Sequence, residues 1–187
     1  AAVLAFSAVQ NNDKVGCIFF SDRVEKFIPP KKGKAHVMSI IRELVGFAPE
    51  HRGTSLSEPL RYLTNVAKKR CTAFLLSDFL LPETDAAPFE EALKIAGGKH
   101  DVVGIRVYDR RDAEMPDVGI AELCDAESGE KMWVDTSSAA VRRQYAERWR
   151  ERTQRIDTML KHHRIDCATV DTSDEYVTQL IKLFKQR

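Results

Sequence analysis

Two apolar runs decide the fold: Thr72-Ala-Phe-Leu-Leu-Ser-Asp78 and Asp101-Val-Val-Gly-Ile-Arg-Val-Tyr108. Each has strand length and is apolar without alternation, as a strand buried on both faces is. Between them, residues 86–96 (Ala-Ala-Pro-Phe-Glu-Glu-Ala-Leu-Lys-Ile-Ala) have helical composition and precede Gly97-Gly98, a helix stop. A strand, a helical crossover and a second strand make a parallel pair, because a parallel return needs about a dozen residues or more. The order therefore predicts an α/β layered fold around a mostly parallel sheet.

Working outward, Val15-Gly-Cys-Ile-Phe-Phe20 and Ile165-Asp-Cys-Ala-Thr-Val170 are runs of the same kind and are expected in the same sheet. Val24-Glu-Lys-Phe-Ile28 follows the first of them after only Ser21-Asp22-Arg23, so it is expected as an antiparallel edge strand stopped by Pro29-Pro30. Helical periodicity or composition predicts helices over 1–10, 37–45, 57–67 (with Ser57 as N-cap), 138–163 and 175–184. The β-like pieces 120–125 and 131–134, joined through Glu127-Ser-Gly-Glu130, predict a small inserted β-hairpin. Trp133, with Met132 and Val134, is expected to cover apolar surface there. No repeat or linker interrupts the pattern, and residues 1–187 read as one domain.

Composition narrows the function. The 187 residues carry 29 Lys+Arg against 28 Asp+Glu, a net charge of +1, which gives no electrostatic drive toward nucleic acid or an anionic membrane. With 43% hydrophobic and 30% charged residues the chain is globular rather than disordered. No stretch approaches the ~18 apolar residues of a membrane-spanning helix. Cys17, Cys71, Cys124 and Cys167 form no Cys-x-x-Cys pair and are expected as structural thiols of a reducing, cytoplasmic setting. The segment 138–163 carries Arg142, Arg143, Arg148, Arg150, Arg152 and Arg155. Glu147 and Glu151 interleave with them at i, i+4 spacings, which reads as a solvated, salt-bridged face.

In an open α/β sheet, ligands sit outside the carboxyl ends of the strands. The candidates are therefore Asp78, which ends an apolar strand, and the loop Arg52-Gly-Thr-Ser55 before a helix. A carboxylate and the Thr54 hydroxyl are hard oxygen donors, suited to Mg²⁺ or Ca²⁺ rather than zinc. The same residues would serve equally as a cap and a turn. No phosphate-binding loop, no Gly-x-Gly-x-x-Gly and no Gly-x-Ser-x-Gly elbow is present. His51, beside Arg52, reads as a solvated loop histidine.

Several blocks resemble a known family: Phe6-Ser-Ala-Val-Gln-Asn-Asn-Asp-Lys-Val-Gly16, Phe20-Ser-Asp22, Phe27-Ile-Pro-Pro-Lys-Lys-Gly33, Gly53-Thr54, Leu76-Ser-Asp-Phe79, His100-Asp-Val-Val103, Met115-Pro-Asp-Val-Gly119 and Asp125-Ala-Glu-Ser-Gly-Glu130. In this order they are similar to the bacterial domain-of-unknown-function family 58. That family is in turn similar to von Willebrand factor A (vWA) domains. The resemblance implies a three-layer, doubly wound, mostly parallel sheet with one antiparallel edge strand and a metal-ion-dependent adhesion site. By motif, Thr54 matches the second ligand element of that site and Asp78 the third, for Mg²⁺ or Mn²⁺ in an intact family member.

The first ligand element, Asp-x-Ser-x-Ser, has no counterpart here. The chain reads as starting within the helix that follows it, so the first central strand is expected to be absent. Thr54 and Asp78 are expected to converge at one edge of the sheet without holding an ordered ion. In function the resemblance implies a non-enzymatic protein-binding module, acting with a MoxR-type AAA+ ATPase in assembly or maturation of partner proteins. A divalent-metal-dependent hydrolase or phosphotransfer enzyme using Asp78 is the alternative, and a purely structural α/β module a third.

Overall fold

The computed structural model describes residues 1–51, 53–124, 131–173, 175–185 and 187. Arg52 and the turn block Asp125-Ala-Glu-Ser-Gly-Glu130 lie outside the described residues. In chain order the elements are α1 (Ala2–Gln10), β1 (Val15–Phe20), β2 (Val24–Lys31), α2 (Lys34–Gly46), α3 (Ser57–Val66), β3 (Thr72–Ser77), α4 (Glu83–Lys99), β4 (Asp101–Tyr108), α5 (Arg110–Ala113), β5 (Ile120–Cys124), β6 (Lys131–Asp135), α6 (Ala139–His162), β7 (Asp166–Asp171) and α7 (Tyr176–Lys185).

The strands β3, β4 and β7 form a parallel sheet in that order, with Leu75 opposite Gly104 and Gly104 opposite Cys167. Its two faces follow the strand period of two. Leu75 and Val102 turn to one side, into a core of Leu56, Phe89, Leu93, Ile156 and Leu160 from α3, α4 and α6. Val103, Ile105, Ala168 and Val170 turn to the other, against Leu180 and Leu183 of α7 and Leu4 of α1. The sheet is thus covered on both sides by helices, as the unbroken apolar runs require.

The expectation of one sheet holding all four runs is corrected. β1 pairs only with β2, antiparallel, as a separate two-stranded sheet. No ladder joins β1 to β3. The β1–β2 pair is held instead by side chains: the Phe19 and Phe47 rings lie 4.9 Å apart and those of Phe27 and Tyr62 5.4 Å apart. Phe20 reaches the main core.

Four local expectations are also corrected. β2 runs through Pro29 and Pro30 to Lys31, with a register shift between Val15 and Cys17 opposite. An edge strand tolerates a missing N–H where a central one does not. α4 runs through Gly97 and Gly98 to Lys99, and a Cβ at Gly97 would sit 3.1 Å from Ile165 Cδ1. That close approach, not a helix stop, uses the glycine. Ser57 is the first residue of α3 and not its N-cap; that position belongs to Leu56. Trp133 is 71% exposed and Met132 62% exposed, so neither covers apolar surface, although β5 and β6 pair antiparallel as expected. No helix among the described residues is long and apolar enough to cross a membrane.

Leu93 is fully buried between α4 and the sheet, whereas Trp133 stands in solvent. Leu93→Ala should therefore lower the unfolding free energy by about 2–5 kcal/mol. Trp133→Ala should change it by less than about 0.5 kcal/mol despite removing a larger side chain. Urea unfolding of the two variants checks the contrast.

Candidate functional site

The strands β3, β4 and β7 end in, or run directly into, an aspartate (Asp78, Asp109 and Asp171), and Asp22 lies one residue beyond Ser21 after β1. Asp78, Asp109 and Asp171 cap the turns that follow them, while Asp22 is held by side chains. Asp22 takes two hydrogen bonds from the Arg23 guanidinium, at 3.1 and 3.3 Å, and this contact holds its carboxyl below the usual range. Asp109 caps α5, accepting from the Arg111 N–H at 2.8 Å. Asp171 accepts from the N–H and hydroxyl of Ser173 at 2.8 and 2.7 Å, which likewise depress its pKa. Asp78 accepts from the Leu80 N–H at 3.0 Å through Oδ1, while Oδ2 makes no hydrogen bond and the side chain is exposed.

The turn after Asp78 is conformationally costly. Phe79 has φ of 60°, a left-handed backbone rare for a bulky residue. Its N–H is taken by the Ser77 hydroxyl at 3.0 Å, and its ring is buried against Phe89 and beneath the Arg106 guanidinium. Burial of that ring sets the turn, and the turn sends the Asp78 carboxylate outward.

The second candidate loop is fixed by two carboxylates that sequence reading missed. Asp85, buried in the first turn of α4, accepts from the Leu56 N–H at 2.7 Å and the Ser57 hydroxyl at 2.6 Å. It accepts further from the Ser57 N–H at 3.3 Å and the Ser55 hydroxyl at 3.2 Å. It thus supplies from another helix the cap that α3 lacks of its own. Glu25 on β2 accepts from the Ser21 hydroxyl at 2.7 Å and the His51 N–H at 3.1 Å. The Ser55 N–H donates to the Ser21 carbonyl at 2.8 Å, pinning the loop to the end of β1. Gly53, with φ of 94°, makes the turn that a side chain would strain. His51 is therefore held by its backbone.

Thr54 sits half-buried in this loop and its hydroxyl makes no hydrogen bond. No hydrogen bond joins Thr54 to Asp78; the link between their loops is Ser55 to Asp85, seven residues past Asp78. Mg²⁺ needs near-octahedral oxygen ligation. Among the described residues no group of three His, Cys, Asp or Glu converges, and Asp22 is occupied by Arg23. Thr54 and Asp78 alone do not make up such a shell. Elsewhere, the thiols of Cys17, Cys71 and Cys167 are all pushed up by burial, which suits packing rather than reaction.

A family model described as protein of unknown function DUF58 matches residues 1–155. The chain is 30% identical over 131 residues to the uncharacterized protein Rv1480 of Mycobacterium tuberculosis, covering 69% of this chain and 40% of that protein. It is 24% identical over 162 residues to the uncharacterized protein MAV169 of Mycobacterium avium, covering 86% of this chain and 93% of that one. The chain therefore spans well under half the length of the first of these relatives. Its fold is similar to that of the conserved hypothetical protein BatB from Bacteroides thetaiotaomicron, with a TM-score of 0.58 and 19% identity over 99% of this chain and 84% of that one. An aerotolerance-related membrane protein from Bacteroides fragilis gives a TM-score of 0.57 at 17% identity, over 98% and 86%.

Asp85→Ala leaves four donors without their acceptor and should cost about 2–3 kcal/mol in urea unfolding. Asp85→Asn should recover part of that loss, because its amide oxygen can accept from the Leu56 and Ser57 N–H groups while its NH2 donates to the serine hydroxyls. Glu25 gives a pH signature. Its pKa is lowered, first by the Ser21 hydroxyl and then by the backbone N–H groups of His51 and Glu50. A depressed carboxylate stabilises the fold above its unfolded pKa, and that contribution is lost as pH falls through the lower folded value. Thermal melts below about pH 4.3 should therefore fall less steeply in Glu25→Gln than in the unsubstituted chain.

Proposed function

The chain belongs to the family of proteins of unknown function DUF58, and from that premise we propose that it is a non-enzymatic, vWA-like protein-binding module. The binding edge is formed by the turns at 21–23, 53–55 and 78–81. Its partner is a MoxR-type AAA+ ATPase, and its role is assembly or maturation of other proteins in the cytoplasm. One observation carries this reading. Two carboxylates, Glu25 and Asp85, tether His51 and residues 55–57 by hydrogen bonds beside the strand ends, while among the described residues Thr54 keeps an unused hydroxyl and Asp78 an unused carboxylate oxygen. Rigid placement of unsatisfied polar groups on loops favours recognition, because little ordering remains to be done on binding. In a longer member of the family, Mg²⁺ or Mn²⁺ on these groups would recruit a partner's carboxylate; the groups present here lack the shell to do so alone.

The test is co-purification of the full-length protein with a MoxR-type ATPase in Mg²⁺. Asp78→Ala and Thr54→Ala should reduce recovery of the complex by about tenfold while leaving the melting temperature within a few degrees. Phosphatase turnover by the full-length protein that Asp78→Ala abolishes would overturn the reading in favour of a metal-dependent hydrolase. For the 187-residue chain itself, isothermal titration with Mg²⁺ or Mn²⁺ should show no micromolar binding.

A further inference from the structure

The helix α6 does not neutralise its own charge. Arg142 is tied to Asp117 at 3.0 Å and to the Thr136 carbonyl. Arg143, Arg148, Arg150, Arg152 and Arg155 are exposed and, among the described residues, make no hydrogen bond or ion pair, and neither do Glu147 and Glu151. The salt-bridged face expected from the i, i+4 spacing is thus corrected. The acids and arginines stand side by side without closing.

Arg148, Arg152 and Arg155 lie at i, i+4 and i+7, one line along the helix about 10 Å long at 1.5 Å per residue. This line borders the start of α4. A small cavity of about 30 Å³ opens there, lined by Phe79, Leu81 and Met159 with Arg152, Arg155 and Glu83 at its margin. It is a dimple with an apolar floor and a mainly cationic rim, at the foot of the Asp78 turn. Like charges at i, i+4 repel, and Glu151, three residues from Arg148 and four from Arg155, offsets that repulsion without closing an ion pair to either.

We propose that this line of α6 docks an acidic segment of a partner protein. Carboxylates spaced one helical turn apart face Arg148, Arg152 and Arg155, and a small apolar side chain seats in the dimple. Forked guanidinium donors match carboxylates in pairs, which favours this occupant. A nucleic acid fits less well. The chain's net charge is only +1, and Glu147 and Glu151 interrupt the row where a continuous phosphate backbone would pass. The helix also offers no stacking platform, since the Trp149 ring packs 5.3 Å from Tyr108. This surface needs no metal; it borders the 78–81 turn through Phe79 and Leu81 but does not include the Thr54 hydroxyl or the Asp78 carboxylate.

Fluorescence anisotropy of a labelled peptide with glutamates at i, i+4 and i+7 and one central leucine tests the proposal on the 187-residue chain. A lysine-for-glutamate peptide and a labelled thymidine 15-mer serve as competitors. Binding should weaken about tenfold between roughly 50 and 200 mM salt. It should fall a further tenfold or so in R148E/R152E/R155E, and similarly in the milder R148Q/R152Q/R155Q, with circular dichroism unchanged. It should persist in EDTA and in Asp78→Ala, which separates it from the edge-binding reading. Equal affinity of the variants for the acidic peptide would overturn the proposal. So would tighter binding of the thymidine 15-mer than of the peptide at the same salt.

Discussion

The buried carboxylate of Asp85 is the joint on which the rest of the molecule turns. The β1–β2 pair and the β3–β4–β7 sheet share no hydrogen-bonded ladder, so their relative placement depends on side chains and loops. Asp85 leads α4, which crosses between β3 and β4. It grips Ser55, Leu56 and Ser57, which open α3. Ser55 in turn is hydrogen-bonded to Ser21 at the end of β1. One acid thus connects both sheets through three residues. A buried carboxylate is tolerable only when such donors replace its lost water, and four do so here.

The same principle limits the chemistry available at the strand ends. Four aspartates there would invite a metal or catalytic reading, but three are absorbed by Arg23, Arg111 and Ser173. Carboxylates that cap their own turns build loops; they do not form a shared pocket. What remains among the described residues after this subtraction is a pair of unused groups, the Thr54 hydroxyl and one oxygen of Asp78.

Charge on the surface follows a different logic. Arg106, almost wholly buried on β4, is neutralised at once by Asp157 of α6 at 2.7 Å. A few residues away on the same helix, five exposed arginines find no partner among the described residues. Water screens exposed charges, so folding does not force them to pair, whereas burial leaves no alternative. The pattern separates charges that hold α6 to the sheet from charges left for something outside the chain.

Hydrophobic period and crossover length are local properties, so every element but α5, and the parallel pairing of 72–77 with 101–108, could be read along the chain. The long helix after the hairpin, the antiparallel return at Ser21-Asp22-Arg23 and the candidacy of Thr54 and Asp78 were legible for the same reason. The tertiary structure alone decided that β1 stays out of the sheet, that Trp133 faces solvent and that Glu147 and Glu151 leave the arginines unpaired. It alone revealed Asp85, whose partners lie 28 to 30 residues earlier in the chain. Whether an acid is a cap, a tether or a free ligand depends on donors brought from distant segments. No spacing along the chain encodes that distance in space.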